Sequence, residues 1–187
     1  MMDETSVQHL GLDGVWTYLP RRFGDARGWF SETFNAAALK AALGGITFVQ
    51  DNQVLSHAKG VLRGLHFQTP PRAQDKLVRV LRGSILDVAV DIRRASPTYG
   101  RWLSARLSAD DGKQIFVPKG FAHGYLTLEP ATEVLYKVSD YYSPQHEGGL
   151  LWSDPQIGVD WTLSPSEITI AERDRLLPRL DDLAAVF

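Results

Sequence analysis

The chain has 187 residues and 44% hydrophobic residues, which fits one globular domain over residues 1–187. It contains no cysteine, which excludes disulfide scaffolds, thiolate zinc sites, iron–sulfur clusters and cysteine nucleophiles. With 20 Lys and Arg against 22 Asp and Glu, the net charge of −2 argues against a surface that binds nucleic acid or anionic membranes.

The amino-terminal residues are acidic and polar, whereas an export signal needs a basic start followed by an apolar core. No apolar run reaches the length of about 18 residues that a membrane-spanning helix requires. We therefore expect a soluble, cytoplasmic protein.

Short apolar or alternating segments separated by Gly and Pro dominate the chain, a pattern typical of an all-β sandwich or barrel. The predicted strands cover residues 14–19, 28–34, 46–55, 61–68, 77–81, 84–92, 102–108, 114–117, 122–128 and 132–138. Helical pattern is limited to 35–43, 165–177 and 178–186. The fold prediction is all-β with a few short peripheral helices.

The strand predicted at 84–92 shows the clearest alternation. Leu86, Val88 and Val90 point to one side, whereas Asp87 and Asp91 point to the other. This pattern predicts one core face and one polar face.

Histidines in a β-barrel raise the question of a metal site. A metal-binding cupin supplies two ligands as His-x-His on one strand, but here the second position after His66 is Gln68. We therefore expect no metal. A lone strand histidine is most simply a hydrogen-bonded structural residue, and its alternative role is a proton-transfer base near neutral pH.

Positive residues surround His66 in the sequence. Arg63 and Lys76 flank it, and Arg79 and Arg82 follow. These cations either belong to a solvent-exposed sheet edge, where they discourage aggregation, or supply positive charge for a phosphate or an enolate. Strict alternation places Arg63 and His66 on opposite faces, so a common cavity requires a bulge, for which Gly64 is the expected position.

Two further residues are candidates for chemistry. His123 lies between glycines at the start of a predicted strand, and Tyr136 lies within the next strand. The simplest interpretation of Tyr136 is a half-buried tyrosine with a satisfied hydroxyl. Its alternative role is an acid that reprotonates a carbanion from the side opposite a histidine base.

Several motifs together resemble the dTDP-4-dehydrorhamnose 3,5-epimerase family in order and spacing, from about residue 12 to 175. They are 25–32, 48–52, 60–66, 76–80, 83–91, 118–125 and 135–137. The resemblance implies a cupin-type jelly roll that needs no metal or other cofactor. It also implies a homodimer in which an amino-terminal strand crosses to the partner.

The resemblance also implies roles for individual residues. His66 matches the catalytic base, Asp174 the carboxylate that orients it, Tyr136 the opposing acid and Lys76 the cation that stabilises the enolate. The remaining matches are expected to bind substrate: Arg27, Phe30 and Glu32, which reach the neighbouring subunit's site, and Gln50, Asn52, Arg63, His123 and Tyr142. The family's serine near Asp174 is Ala171 here.

The implied activity is a cofactor-independent epimerisation of dTDP-4-dehydro-6-deoxy-D-glucose to dTDP-4-dehydro-L-rhamnose. The 4-keto group makes the hydrogens on carbons 3 and 5 acidic, so a base, an opposing acid and a cation suffice. The alternatives are a mono-epimerase of a modified deoxysugar, a non-catalytic sugar-nucleotide-binding cupin and a metal-dependent cupin enzyme.

Overall fold

A computed structural model describes residues 7–187. Strands predominate in this part of the chain, and the two α-helices have four residues each. The strands are β1 (Val7–His9), β2 (Trp16–Tyr18), β3 (Arg22–Asp25), β4 (Gly28–Ser31), β5 (Gln50–Ser56), β6 (Leu62–Gln68), β7 (Lys76–Arg82), β8 (Ser84–Asp91), β9 (Trp102–Ser108), β10 (Gln114–Val117), β11 (Phe121–Thr127), β12 (Thr132–Val138) and β13 (Glu147–Gly149). The helices are α1 (Lys40–Leu43) and α2 (Glu172–Arg175). The predicted all-β class is confirmed.

Two antiparallel sheets form the body of the fold. The six-stranded sheet has the order β1-β2-β10-β7-β12-β5, and the five-stranded sheet has the order β13-β6-β11-β8-β9. Strands β3 and β4 form a separate hairpin. Because neighbouring strands in each sheet are mostly distant in sequence, the two sheets form the double-sheet jelly roll that the resemblance implied.

Three apolar clusters hold these layers together. The inner cluster packs side chains of both sheets against each other, among them Val78 and Ile115 from one sheet and Ile85 and Leu107 from the other. A second cluster joins the outer face of the five-stranded sheet to residues 150–183, and a third covers the outer face of the six-stranded sheet around α1. Both sheets are therefore covered over part of their outer faces.

The structure corrects the prediction that one face of strand β8 is polar. The alternation is present, but all eight residues of the strand are buried because residues packed on each side cover both faces. Asp87 and Asp91 are both fully buried, and each binds a basic partner: Asp87 contacts His123, and Asp91 contacts Arg93. Paired charges thus replace the solvent that the alternation suggested.

The predicted helices are shorter than expected. Asn35 accepts hydrogen bonds from the backbone of residues 37 and 38, but regular helix begins only at Lys40. The segment 165–177, predicted as helical, contains a 3₁₀ turn at Pro165–Glu167 and then α2. The segment 178–186 contains a 3₁₀ turn at Leu180–Asp182. No helix within residues 7–187 is long and apolar enough to cross a membrane.

Strand β6 contains the predicted bulge. His66 pairs with His123 and Arg63 pairs with Tyr125, so three steps along β6 match two steps along β11. The extra residue lies at Gly64-Leu65, and Gly64 has a φ of 128°. Arg63 and His66 therefore both line the space between the sheets, in agreement with the prediction.

Replacing Gly64 with alanine is predicted to destabilise the bulge in strand β6. A Cβ atom there would lie 2.6 Å from the Gly124 Cα and 2.9 Å from the His123 carbonyl oxygen, both backbone atoms that cannot move independently. We expect the free energy of unfolding in urea to fall by about 3 kcal/mol or more. Gly11→Ala is the control, since its Cβ would meet no atom within 4 Å; an equal loss in both variants would contradict the prediction.

Candidate active site

A cavity of about 410 Å³ opens between the two sheets at the bulged strand. An adjoining compartment of about 250 Å³ shares four of its lining residues: His66, Lys76, Tyr136 and Arg173. The first compartment adds Arg63, His123, Tyr125 and Asp174, and the second adds Gln50, Asn52, Tyr142 and Glu147. The jelly roll therefore brings nine of the twelve predicted site residues to one place.

His66 and Asp174 form a hydrogen-bonded pair on one wall. The His66 Nε2 lies 3.0 Å from the Asp174 Oδ1, and the Asp174 side chain is only 5% exposed. Because an ionised carboxylate can only accept, Nε2 carries the proton and Nδ1 keeps a lone pair. Burial lowers the pKa of His66, and this effect outweighs the opposing influence of Asp174. The imidazole is therefore neutral at pH 7 and able to accept a proton.

Lys76 begins strand β7 and lines both compartments of the cavity. Its Nζ donates to the backbone oxygen of His66 at 3.2 Å, and its side chain forms no ion pair within residues 7–187. Burial lowers its pKa to about 8, although the charges of Asp87 and Glu147 oppose this shift. The ammonium group is thus available to an anion that enters the cavity.

Tyr136 faces this pair from the other sheet. It lies on β12 with Asn52 of β5 and Val78 of β7 as its lateral neighbours, whereas His66 lies on the five-stranded sheet. Burial raises the pKa of its hydroxyl, so the phenol keeps its proton at neutral pH. A proton acceptor and a proton donor therefore occupy opposite walls.

A second histidine–carboxylate pair lies beside the first. The His123 Nε2 contacts the two Asp87 carboxylate oxygens at 3.0 and 2.9 Å, and both side chains are buried. Sequence reasoning selected His123 but missed Asp87, which it assigned to a polar face. The signal that could have identified Asp87 was a carboxylate inside an otherwise apolar strand, where burial demands a partner.

Hydrogen-bonded polar side chains line the second compartment. The Tyr142 hydroxyl donates to Glu147 at 3.0 Å, which raises the pKa of Tyr142, and Gln50 binds both Asn52 and the Tyr142 backbone. Arg173 lies 3.7 Å from Glu147 and 3.5 Å from Asp174, between these side chains and the histidine pair. Sequence reasoning missed Glu147 and Arg173.

Three predicted residues lie outside the cavity. Arg27 is on the turn of the β3–β4 hairpin, paired with Asp25 at 2.5 Å, and Phe30 on β4 is 68% exposed. Glu32 follows β4 and accepts a hydrogen bond from Asn35. The fold of a single chain does not bring these residues to His66.

The donor groups near His66 do not form a metal site. No group of three or more His, Asp or Glu side chains could hold a metal ion anywhere in residues 7–187. Gln68 instead binds backbone: it donates to the Arg72 oxygen at 2.6 Å and accepts from the Ser143 nitrogen at 2.7 Å. Its amide thus fixes two loops.

Residues 9–182 match the family described as dTDP-4-dehydrorhamnose 3,5-epimerase. The chain belongs to that family. A relative of this name from Sinorhizobium fredii is 46% identical over 186 residues, which is 100% of this chain and 95% of the relative. Membership makes the chain an enzyme, an isomerase of the epimerase type, and confirms the resemblance from the sequence.

Solved structures agree with this assignment and with the cupin-type fold. The dTDP-6-deoxy-D-glucose-3,5-epimerase of Legionella pneumophila, in complex with dTDP-4-keto-L-rhamnose, has a TM-score of 0.91 and 40% identity, covering 96% of this chain and 94% of its own. A 3′-monoepimerase from Streptomyces bikiniensis, in complex with dTDP-quinovose, has a TM-score of 0.84 and 32% identity, covering 92% and 86%.

The histidine pair predicts a defined change in proton affinity. Asp174 raises the pKa of His66, so Asp174→Asn should lower it further below its ordinary value of about 6.5. Arg173→Met should raise it, because the guanidinium charge opposes protonation. The measurement is an NMR titration of the imidazole. Glu172→Gln, at an exposed residue of the same helix, is the control. A higher His66 pKa in Asp174→Asn, or a lower one in Arg173→Met, would contradict the pairing of His66 with Asp174.

Proposed function

We propose that this enzyme inverts carbons 3 and 5 of dTDP-4-dehydro-6-deoxy-D-glucose to give dTDP-4-dehydro-L-rhamnose, without a cofactor. The observation that carries the proposal is the placement of a neutral His66 and a protonated Tyr136 on opposite walls, with the Lys76 cation in the same cavity. Inversion next to a ketone requires such a pair, because the proton must leave one face and return on the other.

Each side chain has one step in this reaction. His66 accepts the proton from the carbon beside the carbonyl, and the electron pair moves into the carbonyl to form an enolate. The Lys76 ammonium stabilises the enolate oxygen, and Asp174 stabilises the imidazolium that forms. Tyr136 then gives its proton to the carbon from the opposite face. The imidazolium and the phenolate return to their starting states by proton exchange.

The second compartment is suited to the nucleoside diphosphate. Gln50, Asn52 and Tyr142 line it and offer uncharged donors, and Arg63 and Arg173 supply positive charge nearby. The relative from Legionella pneumophila binds dTDP-4-keto-L-rhamnose, which supports a ligand of this class. We assign these residues, together with His123 and Asp87, to substrate binding.

The second candidate function is mono-epimerisation. It is favoured by the likeness to the 3′-monoepimerase, which has nearly the same fold at 32% identity. The 46% identity to a 3,5-epimerase over the whole chain supports inversion at both carbons more strongly.

The proposal is tested by incubating the enzyme with the substrate in heavy water and locating deuterium by NMR. We expect exchange at both carbons; exchange at one carbon would establish the mono-epimerase, and exchange at neither would refute both. His66→Ala should lower the rate at least about 10²-fold with nearly unchanged dTDP binding. His57→Ala, at an exposed histidine, is the matched control.

Lys76 gives the rate a pH dependence. Only the ammonium form stabilises an enolate, and its pKa is lowered to about 8, so the rate should fall as the pH rises through about 8. Lys76→Arg should move this fall to higher pH, because guanidinium keeps its proton. The measurement is kcat/KM between pH 6 and about 10, because this ratio reports the pKa values of groups in the ligand-free enzyme. An unchanged alkaline limb in this variant would remove Lys76 from the mechanism.

We further propose one domain over residues 1–187 and a homodimer in which Arg27, Phe30 and Glu32 enter the partner's cavity. Arg27 and Phe30 are exposed on the β3–β4 hairpin, Glu32 directly follows it, and none of the three lines the cavity, which supports this arrangement. The crossing amino-terminal strand remains a prediction: residues 1–6 lie outside the described chain, and β1 pairs with β2 of its own chain. The cytoplasmic location also remains a prediction.

Mixed dimers test the shared site. One variant carries His66→Ala, and the other carries Arg27→Ala with Phe30→Ala. Each should be nearly inactive alone. Refolded together in equal amounts, they should regain about a quarter of wild-type activity, because half the dimers then contain one site with both contributions intact. No recovery would show that the hairpin serves the site of its own chain, and full activity of the Arg27→Ala, Phe30→Ala variant alone would show that it serves no site.

A further inference from the structure

The Tyr125 hydroxyl is a buried polar group that has no hydrogen-bond partner within residues 7–187. Its side chain lies on the inner face of β11 and lines the main cavity, and the residue is only 5% exposed. An unpaired buried hydroxyl lowers stability, and a phenylalanine would fill the same space without that cost. A buried, unpaired hydroxyl in a substrate cavity indicates a hydrogen bond that forms only during the reaction.

The surroundings of Tyr125 limit what that partner is. Its lateral neighbours are Arg63 on β6 and Asp87 on β8. Arg63 is a donor only, and Asp87, whose two oxygens contact His123, accepts no hydrogen bond from the Tyr125 hydroxyl. Tyr136, on the facing sheet, packs against the inner apolar cluster that contains Tyr125 and lines the same cavity.

Tyr136 becomes an acceptor at one moment of the proposed reaction. When its proton moves to the substrate carbon, its oxygen becomes a phenolate, which needs a hydrogen-bond donor in a cavity of low polarity. We propose that Tyr125 is a positioning residue that donates its hydroxyl hydrogen to the Tyr136 phenolate. This inference rests on the proposed function, because it requires Tyr136 to act as the acid.

No proton leaves Tyr125 in this step. The O–H bond of Tyr136 breaks, a C–H bond forms on the sugar, and the Tyr125 hydrogen only bridges the two oxygens. Burial raises the pKa of Tyr125, so it stays protonated and remains a donor. Burial also raises the pKa of Tyr136 and so disfavours its phenolate, while the charge of Arg63 lowers both pKa values. Tyr125 supplements Arg63 in stabilising that anion.

Tyr125→Phe separates this role from packing. In heavy water, a carbanion that regains a hydrogen from His66 keeps its configuration, and one protonated by Tyr136 is inverted. The variant should weaken only the second route. We expect kcat to fall about tenfold, and the ratio of deuterium in the retained sugar to deuterium in the inverted sugar to rise about tenfold. NMR of the sugar measures both quantities.

Tyr99→Phe is the matched control. The Tyr99 hydroxyl is also buried without a partner in residues 7–187, but its ring packs against the outer cluster, with the Arg94 guanidinium 4.9 Å from its centroid. Both Phe variants should keep or raise the Tm, because each loses an unpaired hydroxyl. Only Tyr125→Phe should change kcat and the deuterium ratio.

Three results would overturn the inference. Wild-type kcat and ratio in Tyr125→Phe would show that the hydroxyl does not assist Tyr136. A lower Tm in this variant, but not in Tyr99→Phe, would show that the hydroxyl is already bonded in the resting protein. If the wild-type protein exchanges no deuterium, the proposed function fails first, and the assignment of Tyr125 fails with it.

Discussion

The bulge in strand β6 is the constraint on which the site depends. In a regular strand Arg63 and His66 would point to opposite faces, and one of them would enter the outer apolar cluster. The extra residue at Gly64-Leu65 turns both inward while Leu62 and Leu65 remain in that cluster. Gly64 packs closely on the backbone of Gly124, so main-chain contacts fix the strand register that turns His66 inward, and Asp174 orients its ring.

The cavity distributes its charges unequally. Each histidine has its own buried carboxylate, Asp174 for His66 and Asp87 for His123. Lys76 forms no such pair in the described chain. Its Nζ donates to the His66 backbone oxygen, burial disfavours its charge, and the charges of Asp87 and Glu147 favour it. In the proposed reaction the enolate is an anion that exists only briefly, so a cation in the cavity stabilises it more than it stabilises the neutral ketone.

Most strands and the inward position of His66 could be predicted, because side-chain alternation and the spacing of Gly and Pro are local properties. The helices could not: residues 35–43 have high helical propensity, but the chain turns to pack Leu39 and Leu43 against the sheet. Asp87 was missed because alternation does not distinguish solvent from a buried cavity. Glu147 and Arg173 were missed because their contacts join segments that only the folded topology brings together.

The carboxylate that orients His66 belongs to the last part of the chain. The start of strand β6 binds this segment through backbone hydrogen bonds of 2.8 Å from the Leu62 nitrogen to the Thr169 oxygen and from the Thr169 nitrogen to the Gly60 oxygen. Helix α2 begins three residues after Thr169, in the cavity wall. During synthesis the ribosome therefore completes both sheets before it releases Asp174. A chain that stops or is clipped after strand β13 lacks the carboxylate together with Thr169, Ile170, Ala171 and Arg173 of the cavity wall, so translation through α2 is a condition for a complete histidine–carboxylate pair.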